Sequence, residues 1–239
     1  MEVESLYREP EPEREQIDWG ALEFVDVFKI YRSGPVETVA LRGLDLRVEP
    51  RELVAVFGPS GSGKSTMLHL AAALDQPSAG DVRAFGKPLG RLGDDELADY
   101  RAREIALVFQ SGNLWSSLTA RENVLLSLGF AQVPKPTEAA EQALASFGLE
   151  RHGGRRAGVL SGGEQQRVAI AAAAARRAPL VLADEPTAEL DERNEALVLA
   201  ALHRLREEYR STVVVVTHAQ RVADGADRVV ELHDGKTVR

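Results

Sequence analysis

The run Gly58-Pro59-Ser60-Gly61-Ser62-Gly63-Lys64-Ser65 stands between a continuous apolar pentad, Leu53 to Phe57, and a stretch with helical spacing from Ser65 to Leu74. An unbroken apolar strand of this kind is buried on both faces, and a glycine-rich turn from it into a helix confines the chain to an α/β architecture. The glycines let the backbone curl so that successive N–H groups point inward, and the helix start adds partial positive charge. The result is a phosphate cradle of the G-x-x-x-x-G-K-[ST] kind. Lys64 is expected to reach the β- and γ-phosphates of a nucleotide and Ser65 to hold Mg2+. Gly58, Ser60, Gly61, Ser62, Gly63 and Thr66 complete the expected nucleotide-binding set.

Strand and helix signals alternate from Ala21 onward with neither a low-complexity linker nor a fixed-period repeat, so residues 22–239 read as one domain. Leu22 to Ile30 and Leu44 to Val48 have strand character ahead of the phosphate loop, and Leu180 to Ala183 and Thr212 to Thr217 have it beyond. A helical pattern from about Glu192 to Tyr209 separates the last two, and strand, crossover helix and strand in that order imply a parallel sheet. Thr137 is a candidate N-cap for a helix in which Ala140, Leu144 and Phe147 recur at helical spacing, closed by Gly148.

Composition narrows the class. Of 239 residues, 44% are hydrophobic and 28% charged, as in ordinary globular proteins. No apolar run approaches the roughly 18–20 residues that span a bilayer, and the N-terminus lacks the apolar stretch of a secretory signal. The expected location is therefore cytoplasmic, with any membrane role peripheral. The absence of cysteine excludes disulfide, thiolate-metal and cysteine-nucleophile chemistry. A net charge of -8 argues against a nucleic-acid partner, which selects for a basic face. Seven acids against Arg8 and Arg14 in residues 1–18, with Pro10 and Pro12, mark a solvated tail expected to be poorly ordered through about residue 21.

Leu180-Val181-Leu182-Ala183 runs into Asp184 and Glu185, and α/β sheets bind ligands at the carboxyl ends of their strands. Beside a bound triphosphate, Asp184 is placed to orient Mg2+ through its water shell and Glu185 to polarise the attacking water. Without the phosphate loop the same pair would read as a helix cap or a solvated turn. Leu160-Ser161-Gly162-Gly163-Glu164-Gln165-Gln166-Arg167 opens a helical run that reaches Ala175. Its serine and glycines offer a hydroxyl and bare N–H groups to a second phosphate, with an ordinary cap and turn as the plain alternative.

With the phosphate loop, Gln110 in Val108-Phe109-Gln110, Asp184-Glu185, Ala188-Glu189-Leu190-Asp191 and His218, this octet resembles the signature of the ATP-binding-cassette (ABC) ATPases. The motifs follow the family's order over roughly residues 22–239. Lys29-Ile30-Tyr31, Val39-Ala40-Leu41, Leu74-Asp75, Asn113-Leu114 and Leu118 to Val124 are most similar to the branch of macrolide export and lipoprotein release, the MacB and LolD type. The resemblance implies an α/β P-loop NTPase with a RecA-like core, an antiparallel β-subdomain near the N-terminus and an α-helical signature subdomain over about residues 111–170. It also implies hydrolysis of ATP with Mg2+ by two cassettes packed head to tail, most simply as a homodimer. Their partner would be an integral membrane permease on a separate chain, holding them at the inner face of the cell membrane.

In that assembly Ser161, Gly162 and Gly163 of one copy cover the γ-phosphate at Lys64 of the other. Tyr31 stacks on adenine, Gln110 contacts Mg2+ and the attacking water, His218 faces the γ-phosphate, and Asp191 lies across the dimer interface. Leu114 and Trp115 are exposed apolar anchors for a short permease helix, or else Trp115 packs on the helical subdomain.

Three positions depart from the family pattern. Pro50-Arg51-Glu52 replaces the usual Gly-Glu, Ala172 a common Arg, and Glu189 the Asn of this branch. None removes a catalytic group, and Glu189 is placed to alter the electrostatics of a dimer interface. Three uses of the ATPase stay open at the level of sequence. They are export or extrusion through a permease, FtsE-like mechanotransmission without transport, and a soluble role on nucleic acid or ribosomes. The last is disfavoured because the chain carries neither paired cassettes, long coiled-coil insertions nor a basic patch.

Overall fold

The computed structural model describes residues 19–238, and the acidic segment expected to form a tail lies, through residue 18, outside them. A hairpin of β1 (Leu22–Ser33) and β2 (Val36–Val48) leads into β3 (Leu53–Phe57), and the phosphate loop joins β3 to α1 (Lys64–Ala71). β4 (Ala79–Ala84) and β5 (Lys87–Pro88) return to the hairpin and complete an antiparallel sheet ordered β2-β1-β4-β5. There follow α2 (Asp94–Asp99), β6 (Ile105–Val108), α3 (Ala120–Phe130), α4 (Pro136–Ser146) and α5 (Gly162–Arg176). β7 (Leu180–Asp184), α6 (Glu192–Glu207), β8 (Thr212–Thr217), α7 (Gln220–Asp224), β9 (Arg228–His233) and β10 (Lys236–Thr237) finish the chain. The second sheet runs β10-β9-β3-β8-β7-β6, parallel except where β10 pairs with β9.

Alternation along the parallel strands sorts their side chains between two cores. Val213 and Val215 of β8, with Val181 and Ala183 of β7, join Val124, Leu144, Ile170 and Leu202 of the helical layer. Val214 and Val216, with Leu180 and Leu182, join Met67 and Leu70 of α1 and Leu22, Leu41 and Leu44 of the antiparallel sheet. The parallel sheet is thus a middle layer, which is why its strands read as unbroken apolar runs. All six residues of β8 are buried. At about 1.5–3 kcal/mol for each fully buried aliphatic side chain, its valines fix where the strand ends and where the loop after it begins. This is the expected α/β P-loop NTPase architecture, with the antiparallel sheet and α1 on one face of the parallel sheet and α3, α4, α5 and α6 on the other.

α1 stops at Ala71, short of the expected Leu74, and β1 runs past Ile30 to Ser33; two further boundaries differ from the sequence expectation for local reasons. β2 begins at Val36, well ahead of Leu44, because its first half pairs with the exposed end of β1, where no apolar alternation is needed. α4 is entered from Lys135 (φ 49°) instead of being capped by Thr137. Pro136 takes the first helical position, where its fixed φ suits a helix start and its missing N–H leaves nothing unsatisfied.

Candidate functional site

The phosphate loop leaves the carboxyl end of β3 and enters α1 through Gly63, whose φ of 104° lies in the left-handed region. A Cβ there would stand 2.5 Å from the Ala40 carbonyl oxygen, so conformation and space both demand glycine. Lys64, only 7% exposed, donates from Nζ to the carbonyl oxygens of Gly58 (2.8 Å) and Pro59 (3.0 Å). The same Nζ lies 3.9 Å from Glu185 Oε1. Ser60 and Gly61 are exposed at the loop tip, whereas Ser62 is buried and its hydroxyl has no partner among the described residues. The Ser65 hydroxyl donates to Asp184 Oδ1 at 3.3 Å.

Asp184 closes β7. Burial raises its carboxyl above the ordinary range and the Glu185 charge adds to the rise, while the Ser65 hydrogen bond, His69 and Lys64 oppose it. A carboxylate so placed gains more than an exposed one from a nearby cation. Glu185 turns out of the strand in the left-handed region, at φ 45°, pinned by its N–H to the Val216 carbonyl at 2.9 Å. A non-glycine residue in that conformation stores about 1–3 kcal/mol of strain, which the pairing of β7 with β8 sustains. The Glu185 carboxylate accepts from the Thr217 hydroxyl (3.2 Å) and the His218 N–H (3.3 Å). Its Oε1 is 2.8 Å from His218 Nδ1, a separation that holds one proton between them. Because β3, β8 and β7 are adjacent and parallel, Lys64, Ser65, Asp184, Glu185 and His218 gather at one end of the sheet.

Ser161 caps α5: its hydroxyl accepts from the Glu164 N–H at 3.3 Å, and Glu164 Oε2 accepts from the Ser161 N–H at 2.7 Å. Burial pushes the Glu164 carboxyl up, but the Ser161 bonds and the His152 and Arg155 charges outweigh it and hold it below the usual range. Gly163 is a close-approach position, since a Cβ would meet Asn194 Oδ1 at 2.5 Å and Asn194 Cβ at 2.8 Å. Asp191 Oδ1 in turn accepts from the Asn194 N–H (2.8 Å) and side-chain amide (3.0 Å), capping α6. The plain cap-and-turn arrangement is thus realised at both helix starts, and Ser161 and Gly162 stay exposed at theirs.

Gln110 donates from Nε2 to Glu189 Oε1 at 3.0 Å, so the acid that departs from the branch pattern engages the Gln110 loop of its own chain. Two residues to which the sequence assigns no role hold that loop. Gln166, buried in α5, donates to the carbonyls of Phe109 (2.8 Å) and Gln110 (2.6 Å) and accepts from the Asn113 amide (2.9 Å). Asn113 also bonds both backbone groups of Phe109, each at 2.7 Å. The signal in the sequence is a lone polar side chain on the buried face of an alanine-rich helix. The loop, the start of α5 and residues 186–190 enclose a cavity of about 370 Å³. Gln166→Leu removes the donor to the Phe109 and Gln110 carbonyls and the acceptor of the Asn113 amide, at about 0.5–1.5 kcal/mol for each hydrogen bond lost, and leaves the Phe109 carbonyl only its Asn113 donor. We expect faster hydrogen–deuterium exchange over residues 109–113 with β8 still protected. Unchanged exchange in the loop would mean that Gln166 does not hold it.

Tyr31, near the end of β1 and 40% exposed, donates to Asp75 Oδ2 at 2.9 Å. Trp115 is 67% exposed while Leu114 packs on the helical core, so only one of the two expected anchors is presented. Asn123 brackets the Trp115 backbone, accepting from its N–H (2.7 Å) and donating to its carbonyl (3.1 Å). Among the described residues no helix is long and apolar enough to cross a membrane.

The family model described as ABC transporter matches residues 41–188. The chain is 46% identical over 220 residues to the lipoprotein-releasing system ATP-binding protein LolD of Anaeromyxobacter dehalogenans, covering 91% of this chain and 92% of that one. It is 42% identical over 220 residues to the macrolide export ATP-binding/permease protein MacB of Azoarcus sp., spanning 33% of that longer protein. Among solved structures it is similar to the dimeric post-hydrolysis state of the ATP-binding cassette MJ0796 bound to ADP and Pi. That likeness has a TM-score of 0.83 at 40% identity and covers 91% of this chain and 97% of the other. Fold, site and sequence agree: the chain belongs to the ABC transporter family, as one of its ATP-binding cassettes.

Proposed function

We propose that the chain is the ATP-hydrolysing subunit of an export or extrusion system of the MacB and LolD type, acting as a head-to-tail homodimer beneath a separate membrane permease. The observation that carries this reading is the gathering of Lys64, Ser65, Asp184, Glu185 and His218 at the carboxyl ends of adjacent parallel strands. The phosphate loop and Lys64 bind the triphosphate, with Lys64 exchanging the Gly58 and Pro59 carbonyls for phosphate oxygens. Tyr31 carries the adenine. Ser65 and Asp184 are oxygen donors held 3.3 Å apart, a set that suits Mg2+, with Gln110 as a further donor. Among the described residues no group of three or more His, Cys, Asp or Glu is gathered to hold a metal, so these residues serve a cation that the phosphates help to bind. Bound there, Mg2+ would neutralise charge on the β- and γ-phosphate oxygens. Glu185 takes the proton of the attacking water as its oxygen bonds the γ-phosphorus and the bridging oxygen leaves with ADP. His218 holds the Glu185 carboxylate and faces the γ-phosphate. The helical subdomain, about residues 111–170, carries the signature edge and the exposed Trp115 toward the permease.

The dimer is supported by the two solved MJ0796 cassettes described as dimeric and by the exposed Ser161 and Gly162 at the start of α5. Ser161→Asp tests it cleanly. Asp caps a helix as well as Ser does, so α5 is kept, but its charge opposes a γ-phosphate presented by a second copy. Light scattering should find ATP-dependent doubling of mass in the parent chain and none in the variant, with nucleotide affinity of the single chain unchanged. Equal dimerisation in both would refute the head-to-tail arrangement. Capture of the tagged chain from solubilised membranes should bring down an integral membrane protein, and recovery with ribosomes or DNA alone would refute the permease partnership.

A further inference from the structure

The contacts around Tyr31 extend well past its ring. Its hydroxyl donates to Asp75 Oδ2 at 2.9 Å, and the nearby Thr66 side chain partly opposes the rise in the phenol's pKa. Asp75 Oδ1 accepts from Lys29 Nζ at 2.5 Å and from the Gln76 N–H at 2.7 Å, and Lys29 Nζ also donates to the Gln76 carbonyl at 2.8 Å. The same ammonium lies 4.9 Å from the Tyr31 ring centroid, within cation–π range. Lys29 is 12% and Asp75 31% exposed at the side chain, so this is not one of the fully solvated pairs that contribute little. Burial and the Asp75 charge keep the phenol above its usual pKa, and it remains a hydrogen-bond donor at neutral pH.

From this geometry we infer that Asp75 is a positioning residue for the nucleobase: with Lys29 against one face and Asp75 fixing the hydroxyl, the Tyr31 ring is set before a purine stacks on its exposed side. The inference rests on the proposed role of Tyr31 as the adenine platform. A tyrosine near the exposed end of a hairpin would otherwise lose rotamer freedom on binding, and a ring already ordered avoids that cost. The lock also joins distant segments. Asp75 is 44 residues from Tyr31 in sequence, just beyond α1, while Thr66 sits one residue past the phosphate-loop serine. The Tyr31–Asp75 bond therefore ties the base platform to the segment that follows the helix beginning at the phosphates.

ADP and inorganic pyrophosphate separate base from phosphate binding without turnover, and each can be titrated calorimetrically into the full chain with Mg2+. Asp75→Ala and Tyr31→Phe should each weaken ADP about three- to tenfold, the worth of one hydrogen bond, and leave pyrophosphate unchanged. The double variant should be no weaker than either single one, because both remove the same bond. Asp75→Asn keeps an acceptor for the phenol and should recover most of the affinity. Equal losses for ADP and pyrophosphate in Asp75→Ala would reduce the residue to loop support and overturn the inference. Unchanged ADP binding in Asp75→Ala and Tyr31→Phe, with a loss in Tyr31→Ala, would overturn positioning and leave stacking intact. No loss in Tyr31→Ala would overturn the platform, and the inference with it.

Discussion

Glu185→Gln is expected to lower ATP turnover by about 10²–10⁴-fold, the usual contribution of a general base and the role proposed for Glu185, while nucleotide affinity changes little. The substitution is nearly isosteric, and the amide can still accept from the Thr217 hydroxyl and the His218 N–H that hold the carboxylate. The left-handed turn at residue 185 is fixed by the backbone bond to Val216, which the side-chain change does not touch. What disappears is the negative charge that would accept a proton from water. The loss of charge also relieves Asp184, whose carboxyl is raised partly by Glu185, so binding of a cation there is preserved or modestly altered. Steady-state phosphate release and calorimetric ATP binding, measured on the same preparation, separate the two effects. Full turnover in the variant would remove Glu185 from the chemistry.

Much of this site is legible in the sequence because its parts are local. The phosphate loop, the acidic pair after Leu180 to Ala183 and the octet at Leu160 each occupy a few consecutive residues, and β3 and β8 have the bounds their apolar runs predict. The strands that escape detection are short or only half buried. β5 has two residues and β4 mixes Asp81 and Arg83 with its buried positions, so neither an apolar run nor a clean alternation marks them, and the apolar run of β6 is only four residues long. Side-chain links across long separations are equally silent. Gln166 reaches the Gln110 carbonyl across 56 residues and Lys29 reaches Asp75 across 46, and no spacing rule in one chain pairs them. The strain at Glu185 is likewise invisible, because a glutamate after a strand gives no hint of a positive φ until its N–H is seen bonded to β8.

Lys64→Ala is expected to weaken ATP by about 10²–10⁴-fold, through the loss of two or so charge-assisted hydrogen bonds at about 1.5–3 kcal/mol each. The ammonium is already gathered at the loop by Gly58 and Pro59, so the lysine is ordered before the phosphates arrive. Its removal acts on the carboxylates as well. Burial holds the folded-state pKa of Asp184 above the ordinary carboxylate range, so its ionised form costs stability at neutral pH and that cost vanishes as the pH falls through the raised value. Lys64 opposes the rise, and without it the carboxyl moves further up. The variant should therefore melt below the parent chain at neutral pH, with the gap narrowing on acidification, while Lys64→Arg narrows it without acid. Thermal melts across pH, beside ATP titrations, give both readings. Undiminished ATP affinity in Lys64→Ala would refute the phosphate-loop role, and a melting gap independent of pH would refute the electrostatic coupling to Asp184.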